Sequence, residues 1–482
     1  MRCAFLVEQS YQLGDVFKYA RNHRSSHAVI CSVSPGGNVE FMSTALHKLA
    51  ARLRVLHVIP TMAVEGGGPP RICAGLAGAT SELGHGVTIA TLAQEGLTPA
   101  EVNAAVEIHA FTPDIPPYGG RYGKSRELDA WLRGNVRNFD IVHLHSIWQF
   151  PTFAAARACW SGRVPYVVLL NGMLDRYSVE QRSRWTKRGY WLLREGRIQG
   201  RAAGLQMGNL AEIRRAMPWI RRMPKFIAGN GIDQERMASI PPRGLFRAEH
   251  AEFRGKKLAL FLSRLHPKKG LDRLIPAWKD VAQVVPESVL VVAGCGDWGY
   301  EAALKALVKE HGLEEKVKFL GQVAGEEKWK LLADADVFVL PSHQEGFSMA
   351  ITEALATGCT PVVTEECNFD ELEGGGERCG VIVRGGDMKR FAGDTAELLS
   401  PHGTMEREQM AEAGKRLVAQ RFTWQRIAAD VEQVYRHILA GKSLAANAAE
   451  VWRGGESPAP EPMTGGAGRK VRPSRVRTSM GG

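Results

Sequence analysis

Short apolar runs alternate with helix-length segments along almost the whole chain, and few folds accept that alternation. "RLRVLHVIP" (52–60) reads as a strand, "TMAVEGGGPP" as a glycine turn, "RICAGLAGATSELGHG" as a helix closed by glycine, and "VTIATL" as the next strand. That is one βαβ unit. "DIVHLHSIW", "PYVVLLNG" and "KFIAGNG" extend the series, and strands this apolar belong to parallel sheets covered by helices on both faces. After the polar stretch "DQERMASIPPRGLFRAEHAEFRGKK" a second series begins: "LALFLSRL", "SVLVVAGCG", "KVKFLGQV", "DVFVLPS" and "TPVVTE". The fold class is α/β, with two doubly wound domains.

At 482 residues the chain is too long for one hydrophobic core. The expected boundaries are an extension over 1–50, with Met42 as an alternative start, a first domain over 51–235 and a linker over 236–256. A second domain over 257–422, a closing amphipathic helix over 423–440 and a disordered basic tail over 441–482 follow. With 44% hydrophobic and 23% charged residues the composition is that of a soluble globular protein. No run approaches the ~20 apolar residues of a membrane span, and the first residues lack a signal-peptide core, so a cytoplasmic chain is expected. The eight cysteines show no C-x-x-C spacing, which argues against a zinc cage or a disulfide framework. A net charge of +11 admits nucleic acid, an anionic membrane or phosphorylated substrates. No nucleic-acid-binding motif is present.

Arg264 and Lys269, in "FLSRLHPKKGLDRLI", follow the C-terminal end of a strand, the edge at which doubly wound sheets hold ligands, and two cations there suit a diphosphate. "VVAGCGDWG" holds a G-x-G-x-x-G at Gly294, Gly296 and Gly299. The acid that would grip an NAD ribose some 20 residues on is missing, because Gln322 stands there, so a glycine turn near a nucleotide is the better reading. Asp334 and Asp336 imitate a metal-binding D-x-D but precede their strand, opposite the ligand edge, and read as helix-end and strand-entry residues. The histidines show no metal-ligand spacing, and no metal or other cofactor is expected.

"HQEGFSMAITEALATG" (343–358) carries Glu345 and Glu353. On a continuous helix they would lie ~12 Å apart along the axis, too far for a shared bond. The helix is instead predicted to begin near Phe347 or Ser348, leaving Glu345 in the loop before it. The free amides of a helix N-terminus, Gly346 to Met349, then lie between the acids and form an anion site. A nucleotide sugar fits, with its sugar toward Glu345, its diphosphate over Gly346, Phe347, Ser348 and Met349, and its ribose toward Glu353.

These motifs, with "GNGID" and "FLGQV", resemble the retaining glycosyltransferases of family 4, whose E-x7-E motif matches Glu345 and Glu353. The resemblance spans about residues 52–440 and implies a GT-B arrangement, two Rossmann-like domains facing a central cleft. It implies donor binding in the second domain, with Arg264 and Lys269 on the diphosphate, Glu353 on the ribose and Glu345 near the transferred sugar; the cations and helix amides there make a metal dispensable. "GGGPPR" resembles the family's glycine loop, Gly66, Gly67 and Gly68, facing the cleft. "NGMLD" stands where many members that build extracellular polysaccharides carry H-G-M-L-[DE]; Asn171 replaces the histidine, and Asn hydrogen-bonds a hydroxyl without transferring a proton. His145, ending "DIVHLH", has two readings, a cleft residue or a core histidine.

The expected partners are a nucleotide-sugar donor and a carbohydrate or lipid-linked acceptor. Residues 182–201 carry seven Lys/Arg against one Glu, interleaved with Trp185, Tyr190 and Trp191. That pattern suits either an anionic lipid surface at the inner face of the cytoplasmic membrane or a solvated helix with buried aromatics. Three other activities stay open at this stage: a nucleotide-sugar 2-epimerase, an NAD-dependent oxidoreductase and a non-catalytic sugar- or lipid-binding protein.

Overall fold

The computed structural model describes residues 52–64, 67–93, 99–115, 122–175, 178–179, 184–296, 298–374, 376–446 and 451–453. The expected extension over 1–50 and Gly66 lie outside them. The strands are β1 (Arg54–Val58), β2 (Gly86–Leu92), β3 (Glu107–Phe111), β4 (Ile141–His145), β5 (Tyr166–Leu169), β6 (Gly204–Met207) and β7 (Lys225–Ile227). They continue with β8 (Lys257–Leu262), β9 (Ser288–Ala293), β10 (Val317–Gly321), β11 (Val337–Leu340), β12 (Thr360–Thr364), β13 (Val381–Val383) and β14 (Trp452–Arg453). Two parallel sheets result, ordered β14-β7-β6-β5-β4-β1-β2-β3 and β10-β9-β8-β11-β12-β13.

The helices used below are α1 (Gly68–Glu82), α2 (Arg126–Asn135), α3 (Phe150–Gly162), α4 (Arg184–Tyr190), α5 (Leu210–Ile220), α6 (Leu271–Val284) and α7 (Trp298–Glu310). Beyond them lie α8 (Gly325–Asp334), α9 (Met349–Thr357), α10 (Met388–Leu399), α11 (Thr404–Arg421) and α12 (Trp424–Leu439). Strands such as β4 and β11 are buried at every position, as helices on both sheet faces require. Leu260, Val291, Phe338, Val363 and Trp278 belong to the second core, and Leu56, Leu144, Val168 and Leu205 to a first.

Two expected boundaries shift. The stretch taken for a linker, 236–256, belongs to the second core, because Phe246 and Phe253 bury in it and Arg247 bonds Asp336 at 2.9 Å. The tail taken as disordered from 441 returns to the first sheet, where Trp452 and Arg453 pair with Phe226 and Ile227. Apolar Leu444 and Val451 bury along the way. Helix α12 follows the second sheet in sequence yet packs on the first, with Trp424, Val431, Val434 and Tyr435 against Leu76, Val55 and Val167.

Register assembles one further feature of the first sheet. His57 on β1 lies opposite His143 on β4, and His145, two residues on, shares that face. All three side chains are fully buried, with ring centroids 4.6 to 5.3 Å apart. His57 Nδ1 and His145 Nε2 share a 2.8 Å hydrogen bond, and His143 Nδ1 meets the Tyr435 hydroxyl of α12 at 2.6 Å. Among the described residues this is a group with nitrogens close enough, within 4.8 Å, to hold an ion. Its ring planes, however, lie within 17° to 33° of one another. One nitrogen of each ring is already engaged in a hydrogen bond within the protein. The group reads as a neutral histidine stack. His145 is fully buried in this stack, as its reading as a core histidine expects.

Burial pushes the His57 ring down to about 3, and burial together with its neighbours also lowers His143 and His145. Unfolded histidine titrates near 6.5, so between that value and the folded one the unfolded chain binds more protons. The stack's contribution is therefore present above pH 6.5 and lost as pH falls toward 3. Stability should decline across that window with a slope approaching about 1.4 kcal/mol per pH unit for each histidine kept neutral. Melting temperature against pH tests this: His57→Gln should flatten the acid limb, and an unchanged limb contradicts it.

Candidate functional site

The two glutamates sit on separate elements. Helix α9 begins at Met349 with Ser348 as N-cap, and no side chain caps its amides. Glu345 lies in the loop before it, and Glu353 in its second turn. Glu345 is nearly buried and accepts from Lys269 Nζ at 2.5 Å and Ser342 Oγ at 2.7 Å. Burial alone would raise its carboxyl, but Lys269 and Lys268 outweigh burial and hold it below the usual carboxylate range. It is an anion paired with Lys269. Glu353 bonds Lys328 Nζ at 2.7 Å, so one oxygen is engaged by an ammonium the sequence reading did not assign to it. Lys268 is pushed down by burial, against the pull of Glu345.

The Arg264–Lys269 loop and the Glu345 loop are knitted together. His343 N donates to Lys268 O at 2.7 Å, and Arg273 donates to the carbonyls of Pro341 and Ser342. The G-x-G pair explains how this loop is held in place. A Cβ on Gly294 would lie 1.9 Å from Ser263 O, and one on Gly296 2.1 Å from Leu265 O. Both glycines let the backbone on either side of Arg264 pass. Gly299, inside α7, has open space around it.

Across the cleft, Asn171 adopts a left-handed φ of 51°, a conformation asparagine tolerates. The turn it begins meets the second domain backbone to backbone: a Cβ on Gly172 would lie 2.6 Å from Gly346 Cα, and one on Gly346 2.8 Å from Asn171 C. Gln344 Nε2 donates to Gly172 O at 3.1 Å. Asn171 Nδ2 is buried and has no hydrogen-bond partner among the described residues. Gly67 faces Arg264, a Cβ there lying 3.4 Å from the guanidinium carbon. Gly68 is the first residue of α1. Phe347, expected among the diphosphate-binding residues, offers only its backbone, because its side chain packs against Gly208, Gly229, Phe369 and Phe422.

Asp334 ends α8 and Asp336 leads into β11. Asp334 Oδ2 accepts from Arg247 N at 2.7 Å, and Asp336 Oδ2 accepts from Leu258 N at 2.8 Å. Their carboxylates bind arginines and backbone. Sequence reading missed Gln344, Lys268, Asn209 and Glu212; for the last two the signal was present, since "NLAE" is an N-cap with an acid three residues on.

Two family patterns match this chain: that of Glycosyl transferases group 1 over residues 243–417, and that of the Glycosyl transferase 4-like domain over 67–207. The chain is similar to an uncharacterized glycosyltransferase of Methanocaldococcus jannaschii, 33% identical over 181 residues that make 38% of this chain and 45% of the relative. It is also similar to the phosphatidyl-myo-inositol mannosyltransferase of Mycobacterium leprae, 30% identical over 44% of this chain and 54% of the relative. The chain thus spans about half the length of these curated relatives. Sucrose-phosphate synthase from Thermosynechococcus elongatus superposes with a TM-score of 0.66 at 18% identity, over 81% of this chain and all of that one. Anabaena HepE, solved with UDP and glucose, superposes with a TM-score of 0.60 at 19% identity, over 79% and 99%.

The packing account of the glycines is testable by contrast. Gly294→Ala should lower stability in chemical denaturation by more than about 2 kcal/mol, since backbone faces the new methyl. Gly299→Ala should change it little or add up to about 1 kcal/mol of helix stability. Equal effects would remove the packing account.

Proposed function

From the premise that this chain belongs to the group 1 glycosyl transferases and has the GT-B fold, we propose that it moves a hexose from a nucleoside-diphosphate sugar to an acceptor hydroxyl, with retention of configuration. The observation that carries this reading is the uncapped N-terminus of α9, with Glu345 paired to Lys269 in the loop before it and the Asn171 turn packed against Gly346.

The diphosphate lies over the amides of Gly346 to Met349, with Arg264 and Lys269 as counter-charges. As the bond between the sugar C1 and the phosphate oxygen breaks, negative charge grows on the leaving group, and preorganised donors stabilise it without reorganising. The acceptor oxygen bonds to C1 on the same face, and its proton passes to the departing phosphate oxygen. No protein base is needed, which suits Asn171, whose amide holds a sugar hydroxyl. Glu345, kept ionised by the two lysines, orders Lys269 and the transferred sugar, while Glu353 shares the ribose with Lys328. These cations and amides supply the charge that a metal would otherwise bring.

Relatives named for GDP-mannose and a neighbour solved with UDP and glucose make GDP-mannose and UDP-glucose the first donors to try. A glycolipid acceptor agrees with the surface near α4. Trp185, Leu192 and Leu193 are the most exposed large apolar side chains among the described residues, at 76%, 78% and 80%, and Arg188 stacks over Trp185. Apolar side chains beside arginine suit an anionic leaflet.

A thermal-shift panel of UDP, GDP and ADP with their sugars should show stabilisation by one nucleotide class. With that donor, Glu345→Ala should slow transfer roughly 100-fold with small change in nucleotide affinity, and Glu353→Ala should weaken nucleotide binding about tenfold. Turnover should survive EDTA. Collapse of turnover restored by Mg²⁺ or Mn²⁺, or equal losses of both properties in both variants, would contradict these roles.

A further inference from the structure

Helix α5 belongs to the first domain, yet its first turns hold both sides of the cleft. On its own side, both oxygens of buried Glu212 accept backbone amides, Gly172 N at 2.6 Å and Gly208 N at 2.7 Å. The same carboxylate therefore fixes the turn that carries Asn171. On the opposite side, the N-cap Asn209 and two residues of α5 reach residues 365–370 of the second domain. Asn209 Nδ2 donates to Asn368 O, Arg215 donates to Glu365 O at 3.4 Å, and Arg214 pairs with Asp370.

That second-domain segment is in turn bonded to Glu345. Glu345 N donates to Glu366 O at 2.9 Å, and Asn368 Nδ2 donates to Glu345 O at 2.6 Å. Asn209 closes the path within α5, because its Oδ1 caps Glu212 N at 2.9 Å. A continuous chain of bonds thus runs from Gly172 through Glu212, Asn209 and Asn368 to the main chain of Glu345.

We propose that α5 is a closure clamp: Asn209 couples the docking of the two domains to the placement of Glu345 and the Asn171 turn, and acts as a positioning residue for transfer. The Arg214–Asp370 pair cannot carry this, since both are more than half exposed and solvent screens them, and the Arg215 contact is long at 3.4 Å. The Asn209–Asn368 bond is buried at both ends. Its loss leaves a buried carbonyl unsatisfied only in the docked state, so it weighs on closure rather than on either domain alone.

The clamp rests on the donor reading for its chemistry and not for its geometry, and the test separates the two. Asn209→Ser keeps a helix-capping oxygen but is too short to reach Asn368. In the full chain, its melting temperature should stay within about 2 °C of wild type. Its Kd for UDP or GDP should stay within about twofold, while kcat falls about tenfold at unchanged donor KM. Wild-type turnover, or kcat and nucleotide affinity falling together, overturns the proposal. If wild type binds neither UDP nor GDP, the donor reading fails, and small-angle scattering of the ligand-free proteins decides the clamp. A larger radius of gyration for Asn209→Ser then supports it, and equal radii overturn it.

Discussion

Gly172 and Gly346 meet with no room for a β-carbon on either, and the arrangement of the cleft depends on that contact. It brings the Asn171 turn of one sheet against the loop that carries Glu345 on the other. Phe347 follows at once and fills the space beside Gly208 and Gly229, so an aromatic ring anchors the approach that two glycines permit. Helix α5 braces the same contact with Glu212 behind Gly172 and Asn209 across to Asn368.

The electrostatics are arranged around this approach. Lys268 and Lys269 lie close to Glu345 in the loop before a helix N-terminus, and Glu345 is the anion that balances them. Holding the cations against a buried carboxylate keeps them ordered before a ligand arrives, which is the preorganisation that makes charge stabilisation effective. The other conspicuous acids serve the scaffold. Asp334 and Asp336 bind the arginines and amides that tie residues 243–258 to β11.

Much of this was legible in the chain. Strand–helix alternation reported two parallel sheets, because strands buried on both faces must be apolar nearly throughout. The glycine and serine before "MAITEALATG" reported where α9 begins, because local backbone preference governs helix starts. Other features were not legible. The Phe246 and Phe253 stretch looked polar because its two aromatics are spaced among charges, and only packing shows that they bury. His57 and the pair His143 and His145 lie more than eighty residues apart and meet only through strand register.

The sequence by itself determined the elements, their order and the loop that precedes α9, since these follow from periodicity and local conformational preference. Tertiary structure alone decided which side chains far apart in the chain share a bond. Lys328 on Glu353, Gln344 on Gly172 and Asn209 on Asn368 join segments 25 to 172 residues apart. No local rule specifies such partners, because they are set by how elements distant in sequence pack against one another.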